Sequence, residues 1–116
     1  MRKREALKKV TAIIVNWNDK DVIIDCIQSL LDQNRNKIDI IISDNGSKDG
    51  SVDSLRRRFP SIKIIENGKN LGFGSAINRG LGLAKGDYLL FLNSDLKLHS
   101  KCVGELAKVL ESDHNV

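Results

Sequence analysis

Four short apolar runs punctuate the chain, and each is followed by a stretch in which apolar residues recur at helical spacing. VTAIIVN (10–16), IDIIIS (38–43), IKIIE (62–66) and YLLFL (88–92) are nearly all apolar and too short for helices, which predicts four buried strands. Residues 21–32 place Ile23, Ile27, Leu30 and Leu31 on one face of a first helix, with Asn18 or Asp19 available as N-cap. Val52, Leu55 and Phe59 predict a second helix that turns Arg56, Arg57 and Arg58 outward and closes at Pro60. A third over 73–85 carries Ala76, Ile77, Leu81 and Ala84 on one side, with Gly86 as its stop. A fourth over 99–112 runs through Val103, Leu106 and Leu110.

Apolar strands that alternate with amphipathic helices predict an α/β fold, a Rossmann-like series of βα units on a mostly parallel sheet covered on both faces. The crossovers should be right-handed. Ligands of such sheets gather beyond the carboxyl ends of the strands. All four exits here carry amides or carboxylates: Asn16, Trp17 and Asn18, then Asp44 and Asn45, then Glu66 and Asn67, then Asn93, Ser94 and Asp95. Turn chemistry accounts for any one of them. Four on one edge, with a tryptophan among them, predict a polar ligand.

The length of 116 residues suits one domain or a piece of a larger one, and 41% hydrophobic with 29% charged residues is ordinary for a soluble globular protein. No apolar run approaches the roughly 20 residues a membrane-spanning helix needs. Cys26 and Cys102 form no disulfide framework or metal cluster and are expected as buried thiols, and no signal peptide is read at the N-terminus, so the cytoplasm is the expected setting. The net charge of +4 concentrates in a basic tail, MRKREALKK (1–9), ahead of the domain at 10–116, and in the three arginines. The tail is either simply solvated or drawn to anionic surfaces, which would bring peripheral contact with the inner face of the membrane. No interleaving of basic and aromatic residues supports a nucleic-acid groove.

Aspartates on two loops of one edge suit a hard divalent cation, Mg2+ or Mn2+. The ring of Trp17 suits the flank of a base or sugar, and Lys69, Asn70 and Gly72 to Gly74 suit close approach to a phosphate. Rival nucleotide folds fail on their residues. The first strand leads into NWND rather than G-x-G-x-x-G, and the later GFGSAI has Ile77 where a third glycine belongs. A P-loop is absent, and the acids of a phosphoacceptor receiver would fall in other loops. Asn45-Gly46-Ser47 matches a glycosylation pattern but reads better as an Asn-Gly turn.

In order, VTAIIVNWN, IIISDNGSKDGS, NLGFGSAINRGL and GDYLLFLNSD resemble the nucleotide-sugar-binding half of the family 2 glycosyltransferases, enzymes of the GT-A fold. The resemblance runs from about Val10 to at least Leu98. It implies a nucleoside-diphosphate-sugar donor, a divalent metal, and inverting transfer to the hydroxyl of a glycan or lipid-linked acceptor. By that resemblance Val15, Asn16, Trp17 and Asn18 with Asp44 and Asn45 line the base and ribose pocket, and Gly72, Asn78, Asn93 and Ser94 join the donor site. Asp95, the last acid of the motif usually written Asp-x-Asp, holds the metal.

Three departures qualify this. Asn93 and Asn45 stand where acids are frequent, a combination associated with rhamnosyltransferase-like members and a deoxysugar donor. The chain ends about twenty residues beyond the Asp-x-Asp position, whereas the family's acceptor surface and catalytic base lie downstream. Glu105, Glu111 and Asp113 read as a solvated face rather than as that base. The expectation is therefore a truncated donor-binding part that binds a nucleoside diphosphate weakly and transfers little alone. A non-catalytic nucleotide-binding or assembly module of the same fold is the main alternative, and a sugar-1-phosphate nucleotidyltransferase a weaker one. An incomplete sheet has an open edge, which predicts a homodimer, or aggregation, of the isolated piece.

Overall fold

A computed structural model describes residues 9–33 and 38–112, so the basic tail (apart from Lys9) and Asp113 lie outside the described residues. The elements are β1 (Val10–Asn16), α1 (Lys20–Leu31), β2 (Ile38–Asp44), α2 (Ser51–Arg58), β3 (Lys63–Glu66), α3 (Phe73–Leu81), β4 (Tyr88–Asn93) and α4 (Cys102–Ser112). The four strands form one all-parallel sheet in the order β3-β2-β1-β4. The expected α/β architecture is thus present, with the fully buried strand, β1, inside the sheet.

Strand alternation sorts the side chains onto two faces. Val10, Ala12 and Ile14 share one face with Ile40, Ile42 and Leu92, covered by Ile23, Cys26, Ile27 and Leu30 of α1, Leu55 of α2 and Val103 of α4. Ile13, Val15 and Ile41 occupy the other face, covered by Ala76 and Ile77 of α3. Ile13, Ile14, Ile41 and Ile42 are each 2% exposed or less, and full burial of each contributes roughly 2–3 kcal/mol. Gly80 lets α3 come close: a Cβ there would lie 2.6 Å from the Ile13 side chain. In register, Thr11 faces Leu89 and Ile13 faces Phe91, yet Leu89 and Phe91 are both 45% exposed, because α3 packs over β1 and β2 and leaves β4 bare.

Several expectations are corrected at the helix ends. α3 stops at Leu81, not at residue 85, and Gly80 takes the contact that Leu81 was expected to make, so Leu81 faces solvent. α4 begins at Cys102 rather than at 99. There Val103 and Ala107 face the sheet, while Leu106 and Leu110 turn to an apolar groove beside β4. Leu31 is exposed at the last turn of α1, bordering a cavity at the amino end of the sheet. Cys26 is buried as expected, but Cys102 is only half-buried.

Candidate functional site

The parallel register brings the strand exits to one level. Asn16 lies opposite Asp44, Asp44 opposite Glu66, and Val15 opposite both Ser43 and Asn93. Residues far apart in sequence therefore meet at a single edge of the sheet.

At the centre of that edge, Asn16 and Asp44 are 0% and 2% exposed. The Asn16 amide nitrogen donates to Asp44 Oδ1 at 2.7 Å and lies 2.9 Å from Ser51 Oγ and 3.1 Å from Ser47 Oγ. Ser47 gives Asp44 two further hydrogen bonds, from its hydroxyl at 2.6 Å and its backbone N–H at 2.9 Å. The carboxylate is thus buried with donors on both oxygens, which is the condition for keeping a charge out of water. Asn18, at φ 55°, follows β1 in a left-handed turn; its N–H donates to Ser47 Oγ and its side chain accepts from the N–H of Lys48.

Asp49 ties two helices to this edge. It accepts from the N–H of Lys20 at the start of α1 (2.9 Å) and from the N–H and hydroxyl of Ser51 at the start of α2 (3.0 and 2.6 Å). A carboxylate at two helix N-termini satisfies orphan donors and meets the positive ends of both dipoles. Burial works to raise its pKa, but the hydrogen bonds from the Ser51 hydroxyl and the backbone N–H groups of Lys20, Ser51 and Asp49 itself prevail, so the carboxyl is held below its ordinary value.

Asn45 is 2% exposed and linked to the loop before α3: its amide nitrogen donates to the carbonyl of Gly72 (3.2 Å) and to Asn70 Oδ1 (3.3 Å). Gly46 beside it has φ 79°, and a Cβ there would fall 2.9 Å from Lys69 Cα, so the turn at 45–47 and the loop at 68–70 touch backbone to backbone.

At the exit of β4, Ser94 is buried and donates its hydroxyl to Asp19, the N-cap residue of α1. The expected cap position is right, but the Asp19 side chain makes no cap bond and serves the β4 exit instead. Asn93 and Asp95 are exposed on either side of Ser94. Beneath them, burial and then the nearby Asp95 charge push the Cys26 thiol up to about 11, against a smaller opposing effect from the N–H of Leu96. No group of three or more His, Cys, Asp or Glu side chains that could cage a metal occurs among the described residues. One exposed carboxylate fits the weaker kind of site, in which Mg2+ or Mn2+ is held chiefly by substrate phosphates and water.

Of the residues singled out from sequence, the structure joins Asn16, Asn18 and Asp44 through Ser47, joins Asn45 to Gly72, and ties Ser94 to the β1 exit through Asp19. Trp17 is 52% exposed at the end of β1. The Val15 side chain packs in the core with Ile13 and Ala76, leaving its backbone at the edge. Asn78 is exposed on α3 and shares no hydrogen bond with this group. Sequence reasoning missed Ser47, Asp49, Ser51 and Asp19 as site residues; all sit in or beside the quoted NWN and SDNGSKDGS stretches, where turn composition masked their role. A cavity of about 260 Å3 among Thr11, Asp39, Lys63 and Lys85 lies at the opposite end of the sheet, away from this chemistry.

The family described as Glycosyl transferase family 2 matches residues 11–116. A poly(ribitol-phosphate) beta-glucosyltransferase of Bacillus spizizenii is 36% identical over 93 residues, 75% of this chain and 15% of that protein. The solved structure of S. aureus TarS 1–349 in complex with UDP superposes with a TM-score of 0.82 at 22% identity, over 91% of this chain and 33% of that one. A mannosyltransferase from Pyrobaculum calidifontis, solved with GDP-Man and Mn2+, gives 0.77 at 21% identity, over 88% and 31%. These solved likenesses establish a shared fold, and the chain spans a third or less of each of the three proteins. With the four motifs and the family match running together along nearly its whole length, the chain belongs to glycosyltransferase family 2.

Proposed function

We propose that this chain is the donor-binding portion of a glycosyltransferase that moves a sugar from a nucleoside-diphosphate-sugar to an acceptor hydroxyl, with inversion and with a divalent metal. The observation that carries the reading is the buried Asn16–Asp44 contact at the joint exit of β1 and β2, on the same edge as exposed Asp95. The Asn16 amide nitrogen and the Asp44 carboxylate are held by Ser47 and Ser51, while Asn16 Oδ1 is buried without a partner. That cost is tolerated for a rigid floor at the strand edge such as a bound nucleotide requires. On this reading Asn16, Asp44, Ser47 and Ser51 form the floor, the Trp17 ring flanks the base, and Asp95 with Asn93 meets Mg2+ or Mn2+ at the diphosphate. The ion's chemistry there is to neutralise charge on the departing nucleoside diphosphate. UDP on TarS and GDP-Man with Mn2+ on the mannosyltransferase support the donor class and the metal. The poly(ribitol-phosphate) named for the Bacillus spizizenii relative supports a polymer hydroxyl as the acceptor. The deoxysugar suggested by Asn45 and Asn93 has no counterpart in the names of these three proteins, and the proposal stops at the nucleotide-sugar class.

Transfer also needs a base for the acceptor hydroxyl. Asp19, Asp44 and Asp49 are engaged in internal hydrogen bonds, and Glu105 lies in the first turn of α4. These facts favour a second reading for the 116-residue chain by itself: a nucleotide-binding module that turns over little. The setting we assign is cytoplasmic, at the inner face of the membrane, with self-association through the open β4 edge that carries Leu89 and Phe91. Light scattering that finds only monomer across concentrations would remove the dimer.

Calorimetric titration with UDP, dTDP and GDP, each with and without Mn2+, tests the central claim. Saturable, metal-dependent binding of one of them, lost in D95A, is the expected result. A folded sample that binds none would overturn the donor-site reading for this chain.

A further inference from the structure

Asn45 occupies the place at which a base-reading side chain was expected, yet its polar atoms are committed elsewhere. A chain of three amides runs from the exits of β2 and β3 to the loop that opens α3, and each orientation follows from the next. The N–H of Gly72 can only donate, so Asn70 turns its Oδ1 to it, at 2.8 Å. The Gly72 carbonyl and Asn70 Oδ1 are both acceptors, so Asn45 turns its Nδ2 to them. Asn45 Oδ1 then faces the β3 exit, where Asn67 Nδ2 donates to it at 2.9 Å and to Ser43 Oγ at 3.0 Å. Reversing any one amide would set oxygen against oxygen or N–H against N–H.

The cost of this arrangement is visible in Asn67, whose Oδ1 is buried without a partner. A buried amide oxygen left unpaired costs on the order of a hydrogen bond or more. The geometry tolerates that cost while holding Asn45 with its nitrogen toward Gly72. Two backbone features reinforce the link: the N–H of Asn67 donates to the carbonyl of Asp44 at 2.8 Å, and Gly46 admits Lys69 to within a distance no Cβ would allow. Gly72 itself stands at φ 83°, ψ 171°, a conformation suited to glycine, directly before the first turn of α3.

We infer that Asn45 is a positioning residue: with Asn67 and Asn70 it latches the Lys69–Gly72 loop, so that the loop meets the donor nucleotide in one fixed shape. The inference rests on the donor-site reading for what the loop touches, but not for the latch itself. Asn45 sets affinity for any nucleoside diphosphate that the edge accepts, and it does not select among bases. Asn70 contributes only an acceptor, whereas Asn45 must donate and accept at once. Aspartate is therefore tolerated at 70 and not at 45, where it would place an oxygen against the Gly72 carbonyl.

Two measurements on the whole chain test this. In the first, hydrogen–deuterium exchange without ligand compares N45A, N45D, N70A and N70D with the parent. Exchange at the amides of residues 70–74 is expected to rise in the first three and stay parental in N70D, with the strands unchanged. Parental exchange in N45A would overturn the latch whether or not the chain binds a nucleotide. In the second, calorimetry with UDP, dTDP and GDP in the presence of Mn2+ is expected to show N45A and N70A weakened about tenfold, the scale of one lost hydrogen bond to a buried group, for each nucleotide the parent binds. The N45A/N70A double variant should lose no more than either alone. A change in base preference in N45A or N45D, with N70A like the parent, would overturn positioning in favour of direct base reading. A parent that binds no nucleotide while the exchange pattern holds would remove the donor-site reading and leave the latch in place.

Discussion

Ser94, at the exit of β4, hydrogen-bonds to the carboxylate of Asp19, at the start of α1, and this contact ties the turn that carries Asp95 to the strand that carries Asn16. Because Ser94 is buried while Asn93 and Asp95 are exposed, the contact acts as an anchor between two outward-facing side chains. D19A and S94A should each cost about 1 kcal/mol of stability, the range for one hydrogen bond. Both should weaken Mn2+-dependent nucleotide binding more than metal-free binding. Equal weakening in the two conditions, read by calorimetry, would show that the anchor does not serve Asp95.

D44A removes the acceptor of the Asn16 amide and of both Ser47 donors. The Asn16 amide keeps Ser47 and Ser51 Oγ within reach, so the penalty falls on the two Ser47 donors that lose their acceptor. A loss of about 1–2 kcal/mol is expected. In urea denaturation this appears as a lower midpoint with an unchanged slope. A midpoint like the parent's would mean that water or a neighbouring group replaces the carboxylate.

The Asp49 carboxyl is held below its ordinary value in the folded chain, so the unfolded chain binds its proton at higher pH. Its contribution to stability is therefore fully present above the unfolded value and is lost as pH falls through the folded value. The D49N variant should be less stable than the parent at neutral pH, and the gap should close in acid. Parallel acid limbs for the two proteins would rule out this linkage.

Burial and the Asp95 charge set the Cys26 thiol at about 11, the opposite direction. Above the ordinary thiol range the unfolded chain gives up this proton while the folded chain keeps it, so stability falls as pH rises toward 11. Iodoacetamide at pH 8 should label half-buried Cys102 well before Cys26. Equal labelling would show that the helix opens readily at Cys26.

The strands were the most legible part of the sequence. All four fall within one residue of the expected bounds, because each apolar run is bracketed by polar turn residues. Helix ends were less so. Leu81 fits a helical stripe on spacing alone, but a glycine one position earlier is what approaches Ile13, and the need for close packing is a tertiary fact. The candidate site divides in the same way. Asn16, Asp44 and Asp95 stand out as polar residues ending apolar runs. Ser51 and Asp49 look like ordinary turn and helix-start residues until the register of β1 and β2 carries Asn16 and the start of α1 to them.

The strand order has a consequence for how this edge comes into being. β1 is the first of the described strands and lies inside the sheet, where Val10 pairs with Ile38 on one side and with Tyr88 on the other. A chain leaving the ribosome presents this apolar segment long before its second neighbour exists. Parallel pairings across such separations are slow, because loop closure precedes any gain from contact. The half of the edge built from Asn16, Asp44 and Asp49 can assemble once β2 and the start of α2 are made. The carboxylate of Asp95 arrives only with β4, so newly made chains pass through a stage in which the Asn16–Asp44 group is formed and Asp95 is not yet beside it.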